Sequence, residues 1–148
     1  MAPTNFVARA RVEIDASVEQ VWEALTDPGQ IRQYMFGTEV STDWAEGSPI
    51  TWKGTWEGRD YEDKGQILAF EPPTRLSYSH FSPLTGEADI PANYHQVTLD
   101  ISRDNGRTGV TLTQDNNKTA ESREHSQANW QVMLNGLRRH LEEGASAV

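Results

Sequence analysis

The sequence predicts an α+β domain: a curved antiparallel sheet of about six to seven strands against one long carboxy-terminal helix, with two short helices after the first strand. Three observations carry that expectation. Apolar and polar residues alternate with period two through the first and middle thirds of the chain. Asp104-Asn105-Gly106 is a strong hairpin signal between two alternating runs. The last 30 or so residues carry apolar side chains at helical spacing.

Each element has its own local reason. Phe6–Ile14 sets Ala10, Val12 and Ile14 against Arg9, Arg11 and Glu13, the pattern of a half-buried strand. It stops at Asp15-Ala16-Ser17, where Ser17 and Gln20 fit a capping box. Val18, Val21, Trp22 and Leu25 then share one helical face. Asp27-Pro28 places a capping carboxylate before proline at a first helical position. The second short helix presents Ile31, Tyr34 and Met35, and Gly37 ends it.

Residues 38–116 change to strands and turns. Ile50, Trp52 and Trp56 share a parity opposite Thr51, Lys53, Thr55 and Glu57, and Glu57–Asp60 reads as a turn. The following strand ends at Glu71-Pro72-Pro73, because proline has no N–H to give a ladder. Leu76, Tyr78 and His80 form the apolar row of the next strand, and His95, Val97, Leu99 and Ile101 that of another. The return strand after the hairpin turns Val110, Leu112 and Gln114 to the same side. Between them, residues 82–93 form a long loop of the kind that makes lids and binding rims. Thr119 caps the final helix, whose stripe is Trp130, Met133, Leu134, Leu137 and Leu141. Arg138, Arg139 and His140 suit the negative end of its dipole, and Gly144 is the expected stop.

Composition narrows the function classes. At 148 residues, residues 1–148 are expected to form a single domain with a core over about 6–143. Thirteen basic and 22 acidic residues leave a net charge of −9, which disfavours nucleic acid and anionic membranes as partners. No cysteine is present, which removes disulfides, thiolate metal sites and cysteine nucleophiles. No apolar run approaches the roughly 18 residues of a membrane span. The amino terminus does not look like a signal peptide, so a cytoplasmic location is expected. Five Trp, four Tyr and four Phe give an interior rich in rings, either plain packing or the lining of a pocket.

Three blocks of the sequence resemble a known superfamily. Ile14-Asp-Ala-Ser-Val-Glu-Gln-Val-Trp-Glu-Ala-Leu-Thr-Asp-Pro28 is similar to the opening signature of START-like (SRPBCC) proteins. Gly65-Gln-Ile-Leu-Ala-Phe-Glu-Pro-Pro-Thr-Arg-Leu-Ser-Tyr78 resembles a block of the branch related to the carboxy-terminal domain of the activator of Hsp90 ATPase. Asn129-Trp-Gln-Val-Met-Leu-Asn-Gly-Leu-Arg-Arg-His-Leu-Glu142 is similar to that branch's closing motif. The resemblance implies a helix-grip fold, with the sheet wrapped around the long helix and a cavity between them. Members bind lipids, hormones and polyketides, act as cyclase-like enzymes, or serve as co-chaperones, so fold alone does not fix function. The eukaryotic co-chaperone carries an additional amino-terminal domain, for which 148 residues leave no room.

The candidate chemistry is sparse. His80 and His95 have inward parity and read either as a general base or as hydrogen-bonded core or rim histidines. His125 and His140 read as solvent-facing, and Glu57, Asp60, Glu62 and Asp63 as a solvated edge. No metal-ligand spacing, nucleophile elbow or phosphate loop is present, so neither metal nor cofactor nor catalytic residue is expected. Asn117-Lys118-Thr119 matches a glycosylation sequon that has no use without secretion. What remains is a ligand cavity from Tyr34, Trp52, Trp56, Tyr78, His80, Gln114, Trp130, Met133 and Leu137, with Met35, Phe36 and the 82–93 loop near its mouth. The expected function is non-covalent binding of a small hydrophobic or aromatic molecule. Two alternatives stand beside it: a stress-response co-chaperone or interaction module for an Hsp90-like ATPase, and a cyclase- or hydrolase-like enzyme with a cavity histidine.

Overall fold

The computed structural model describes residues 6–35, 37–56 and 58–146, with the side chains of Trp56, Thr85 and residues 144–146 excepted. Phe36, Glu57 and the Trp56 side chain, all named above, therefore lie outside the described residues. The chain runs β1 (Phe6–Ile14), α1 (Val18–Thr26), α2 (Pro28–Tyr34), β2 (Glu39–Thr42), β3 (Pro49–Trp56), β4 (Arg59–Glu71), β5 (Arg75–His80), β6 (His95–Asp104), β7 (Arg107–Asn117) and α3 (Ala120–Ser146). The seven strands form one antiparallel sheet in the order β1-β7-β6-β5-β4-β3-β2, so β1 and β2 are its edges.

The helix starts follow the local chemistry. Gln20 N donates to Ser17 Oγ at 3.0 Å while Ser17 N donates to Gln20 Oε1 at 2.9 Å, which satisfies two otherwise free donors at the start of α1. Gly29 N donates to Asp27 Oδ1 at 3.0 Å, and Pro28 opens α2. Gly37, at φ +82°, donates to Arg32 O at 3.0 Å and closes the turn after α2. Asn105 (φ 52°) and Gly106 (φ 82°) form the tight β6–β7 hairpin, a conformation that asparagine and glycine tolerate best. Ser122 N donates to Thr119 Oγ1 at 3.0 Å, the expected cap of α3.

Gly144 does not stop that helix. α3 runs on through it to Ser146, since a single glycine costs only about 1 kcal/mol in a helix and Ala145-Ser146 can continue it. The 82–93 loop gives no residue to the apolar hollow at the helix–sheet junction. It folds into two 3₁₀ turns, Pro83–Thr85 and Pro91–Asn93, pinned by the Asp89 carboxylate, which pairs with Lys64 and accepts from Tyr94 Oη at 2.6 Å.

α3 packs along β1 and completes it. Arg9 N donates to Gln127 Oε1 (3.1 Å), Arg11 N to Gln131 Oε1 (3.3 Å) and Asp15 N to Glu142 Oε2 (2.9 Å), while Gln131 Nε2 donates to Arg11 O (3.0 Å). These side chains stand where a further strand would, and so protect a sheet edge. The same helix turns Met133, Leu134 and Leu137 into the core against Ala10, Val12, Ile14, Leu99, Val110 and Leu112. The result is the helix-grip arrangement: a curved sheet, α3 on its inner face, and α1 and α2 closing one end. No described helix is long and apolar enough to cross a membrane.

Candidate ligand-binding site

A small apolar hollow lies where α2, the sheet and α3 meet. α1 and α2 contribute Leu25, Ile31, Tyr34 and Met35; β2 and β3 contribute Val40, Ile50 and Trp52; β5 and β6 contribute Leu76, Tyr78 and Leu99. Trp44 and Met133 complete the wall. Its volume is about 30 Å³, room for about one water molecule. The expected open cavity is thus mostly filled by the protein's own side chains. The physical reason is that large apolar chains on facing layers interdigitate unless something holds them apart.

One polar tip on this wall, the Tyr34 hydroxyl, is already engaged. Tyr34 Oη donates to Ala24 O at 2.8 Å, and the Tyr34 ring lies 5.8 Å from that of His140. Burial pushes the Tyr34 phenol well above its ordinary range, helped by Tyr78 and Asp27 nearby, and burial likewise raises that of Tyr78. The Trp52 and Tyr78 rings meet at 5.0 Å.

Of the expected cavity residues, Tyr34, Trp52, Tyr78 and Met133 come together here. Leu137 is fully buried core outside the lining, and Gln114 accepts from Trp130 Nε1 away from it. His95 Nδ1 is occupied by Asp115 O at 2.9 Å. His80 stands behind Trp52, its ring edge-on to the indole at 5.0 Å. Trp44, Val40 and Leu99 belong to the hollow but were not among the candidates. β2 is only four residues long, too short for a period-two signal, and Trp44 sits in no alternating run.

Two readings of charged residues are corrected. Asp63 is not a solvated edge: its side chain is 15% exposed, and its Oδ2 accepts from His80 Nε2 at 2.9 Å. His140 does not face solvent; it is part-buried between α3 and α2, with Nε2 2.9 Å from Gln30 Oε1. Cross-strand and inter-helix partners of this sort carry no local sequence signature.

Residues 15–142 match the family described as activator of Hsp90 ATPase homolog 1-like protein. The chain belongs to that family. The solution structure of a protein from Cytophaga hutchinsonii is 50% identical, covers 99% of both chains and has a TM-score of 0.85. CalU16 from Micromonospora echinospora (23% identity, 99% of this chain and 90% of that one, TM-score 0.71) shares the fold. So does the Aha1 dimer from Colwellia psychrerythraea (21% identity, 92% and 96% covered, TM-score 0.72). No curated protein matches the chain. The family is a START-like branch, and the helix-grip architecture agrees with membership.

Proposed function

We propose that the protein binds a small hydrophobic or aromatic molecule, non-covalently, at the hollow between α2, the sheet and α3. One observation carries this reading: an apolar void at the helix–sheet junction, walled by four aromatic rings (Tyr34, Trp44, Trp52 and Tyr78) and two methionines. Rings and flexible thioethers are the usual lining of small-molecule sites, and methionine repacks around a guest more readily than branched side chains do. At about 30 Å³ the hollow is too small for a ring, so a ring-sized guest enters by displacing Met35, Met133 or Trp52. That cost lowers affinity by the fraction of time the site stands open.

The test is a titration of the intact protein with a library of small aromatic compounds, read by tryptophan fluorescence and melting temperature. Binders should quench Trp44 and Trp52 and raise the melting temperature with the logarithm of ligand concentration over Kd. A flat response across the library would remove the proposal.

The family match favours a second reading, in which the protein acts on an Hsp90-like ATPase. It requires faster ATP turnover by a purified Hsp90 homologue when this protein is added. Unchanged turnover at saturating protein leaves the ligand-binding reading alone.

A further inference from the structure

Among the described residues, one buried side-chain oxygen or nitrogen has no hydrogen-bond partner: Asp63 Oδ1. A carboxylate oxygen withdrawn from water without a donor is costly, and folded proteins seldom leave one so. Its twin, Oδ2, is engaged by His80 at 2.9 Å, which fixes the carboxylate and leaves Oδ1 as the free acceptor.

The position of this carboxylate gives it a use. Asp63 faces Trp52 directly across the β3–β4 ladder, and His80 meets the same indole edge-on at 5.0 Å. Trp52 in turn lines the hollow. Trp52 therefore borders both the void and the Asp63–His80 pair. A guest larger than water has to widen that void, and Trp52 is the lining residue that stands next to Asp63.

We propose that Asp63, held by His80, is the polar end of the binding site and accepts a hydrogen bond from an N–H or O–H of the guest. The inference rests on the ligand-binding reading above and sharpens its substrate class to small aromatic molecules that carry a donor, such as indoles or phenols. A hydrocarbon of equal size leaves Oδ1 unsatisfied and gains only apolar contact. The Tyr34 hydroxyl, already donated to Ala24 O, and the Tyr78 hydroxyl are neutral acceptors, weaker than a carboxylate oxygen.

The experiment compares indole with 1-benzothiophene, a ring of nearly the same shape that lacks the N–H. Each is titrated into the intact protein and its Asp63→Ala variant, with ¹H–¹⁵N chemical shifts as the readout. In a purely apolar pocket the benzothiophene wins, because indole loses its hydrogen bond to water on entry. The proposal predicts the reverse: indole tighter by about tenfold in the wild type, as a charge-assisted hydrogen bond supplies. In Asp63→Ala that preference disappears, while benzothiophene affinity stays within about twofold. Should Asp63→Ala fail to fold, Asp63→Asn takes its place: it keeps the shape and removes the charge, and the indole preference should fall severalfold. Benzothiophene binding as tightly as indole overturns this inference and leaves the binding reading standing. A tenfold preference that survives in Asp63→Ala overturns the assignment to Asp63. Binding of neither probe overturns both.

Discussion

The Tyr34 and Tyr78 phenols are held neutral by burial, and this links stability to alkaline pH. A phenol whose folded value is raised contributes stability that is fully present below its unfolded value, about 10, and lost as pH climbs toward the folded one. The melting temperature should therefore fall steeply above about pH 10. Tyr34→Phe removes the hydrogen bond to Ala24 O, at about 1 kcal/mol near neutrality, yet should flatten that alkaline slope; an unchanged slope would assign the effect elsewhere. Asn117 makes a second residue-scale point. It is 1% exposed; its Nδ2 donates to Phe6 O (3.0 Å) and Gln114 O (3.1 Å), and its Oδ1 accepts from Ser126 Oγ (3.0 Å). Asn117→Ala should cost about 2–3 kcal/mol in chemical denaturation, since it strands three partners at once. The sequence shows only a sequon at this position. The three contacts that explain the residue come from β1, β7 and α3, and only the fold brings those together.

Elements whose causes are local could be read directly. The capping box at Ser17, the Asp27-Pro28 start, the Asn105-Gly106 turn and the Thr119 cap each depend on residues within about four positions, and each forms as expected. Period two found the long strands because one sheet face is buried. It missed β2, whose four residues hold two alternations at most. The Asp63–His80 pair was missed for a different reason: the two lie 17 residues apart, and only the β4–β5 pairing joins them. The α3–β1 seam belongs at this scale too. Gln131→Ala removes both bonds to the Arg11 backbone, so it should lower stability by about 1–2 kcal/mol and speed amide exchange at Arg11 selectively. Uniform acceleration along β1 would show that the edge is sealed by packing and not by these amides.

At the scale of the molecule, α3 lies on the inner face of the sheet through two different contacts. Its amide-bearing face closes the β1 edge, and its apolar face of Met133, Leu134 and Leu137 fills the concave side. α1 and α2 then cap the end where neither contact reaches, and the hollow is the residue of that closure. The order of elements predicted this arrangement; the degree of filling did not follow from it. Whether facing layers of large side chains touch depends on sub-ångström separations that no residue pattern encodes. For the same reason the nine expected cavity residues divided: four line the void, while the others lie in the core, in partner contacts or outside the described residues. The central claim is that this small void widens to receive a guest. The most direct measurement is intermolecular NOE contact between bound indole and the methyl groups of Met35 and Met133. The account predicts cross-peaks to both methyls and to the Trp52 ring; a complex whose contacts all fall on the outer surface would contradict it.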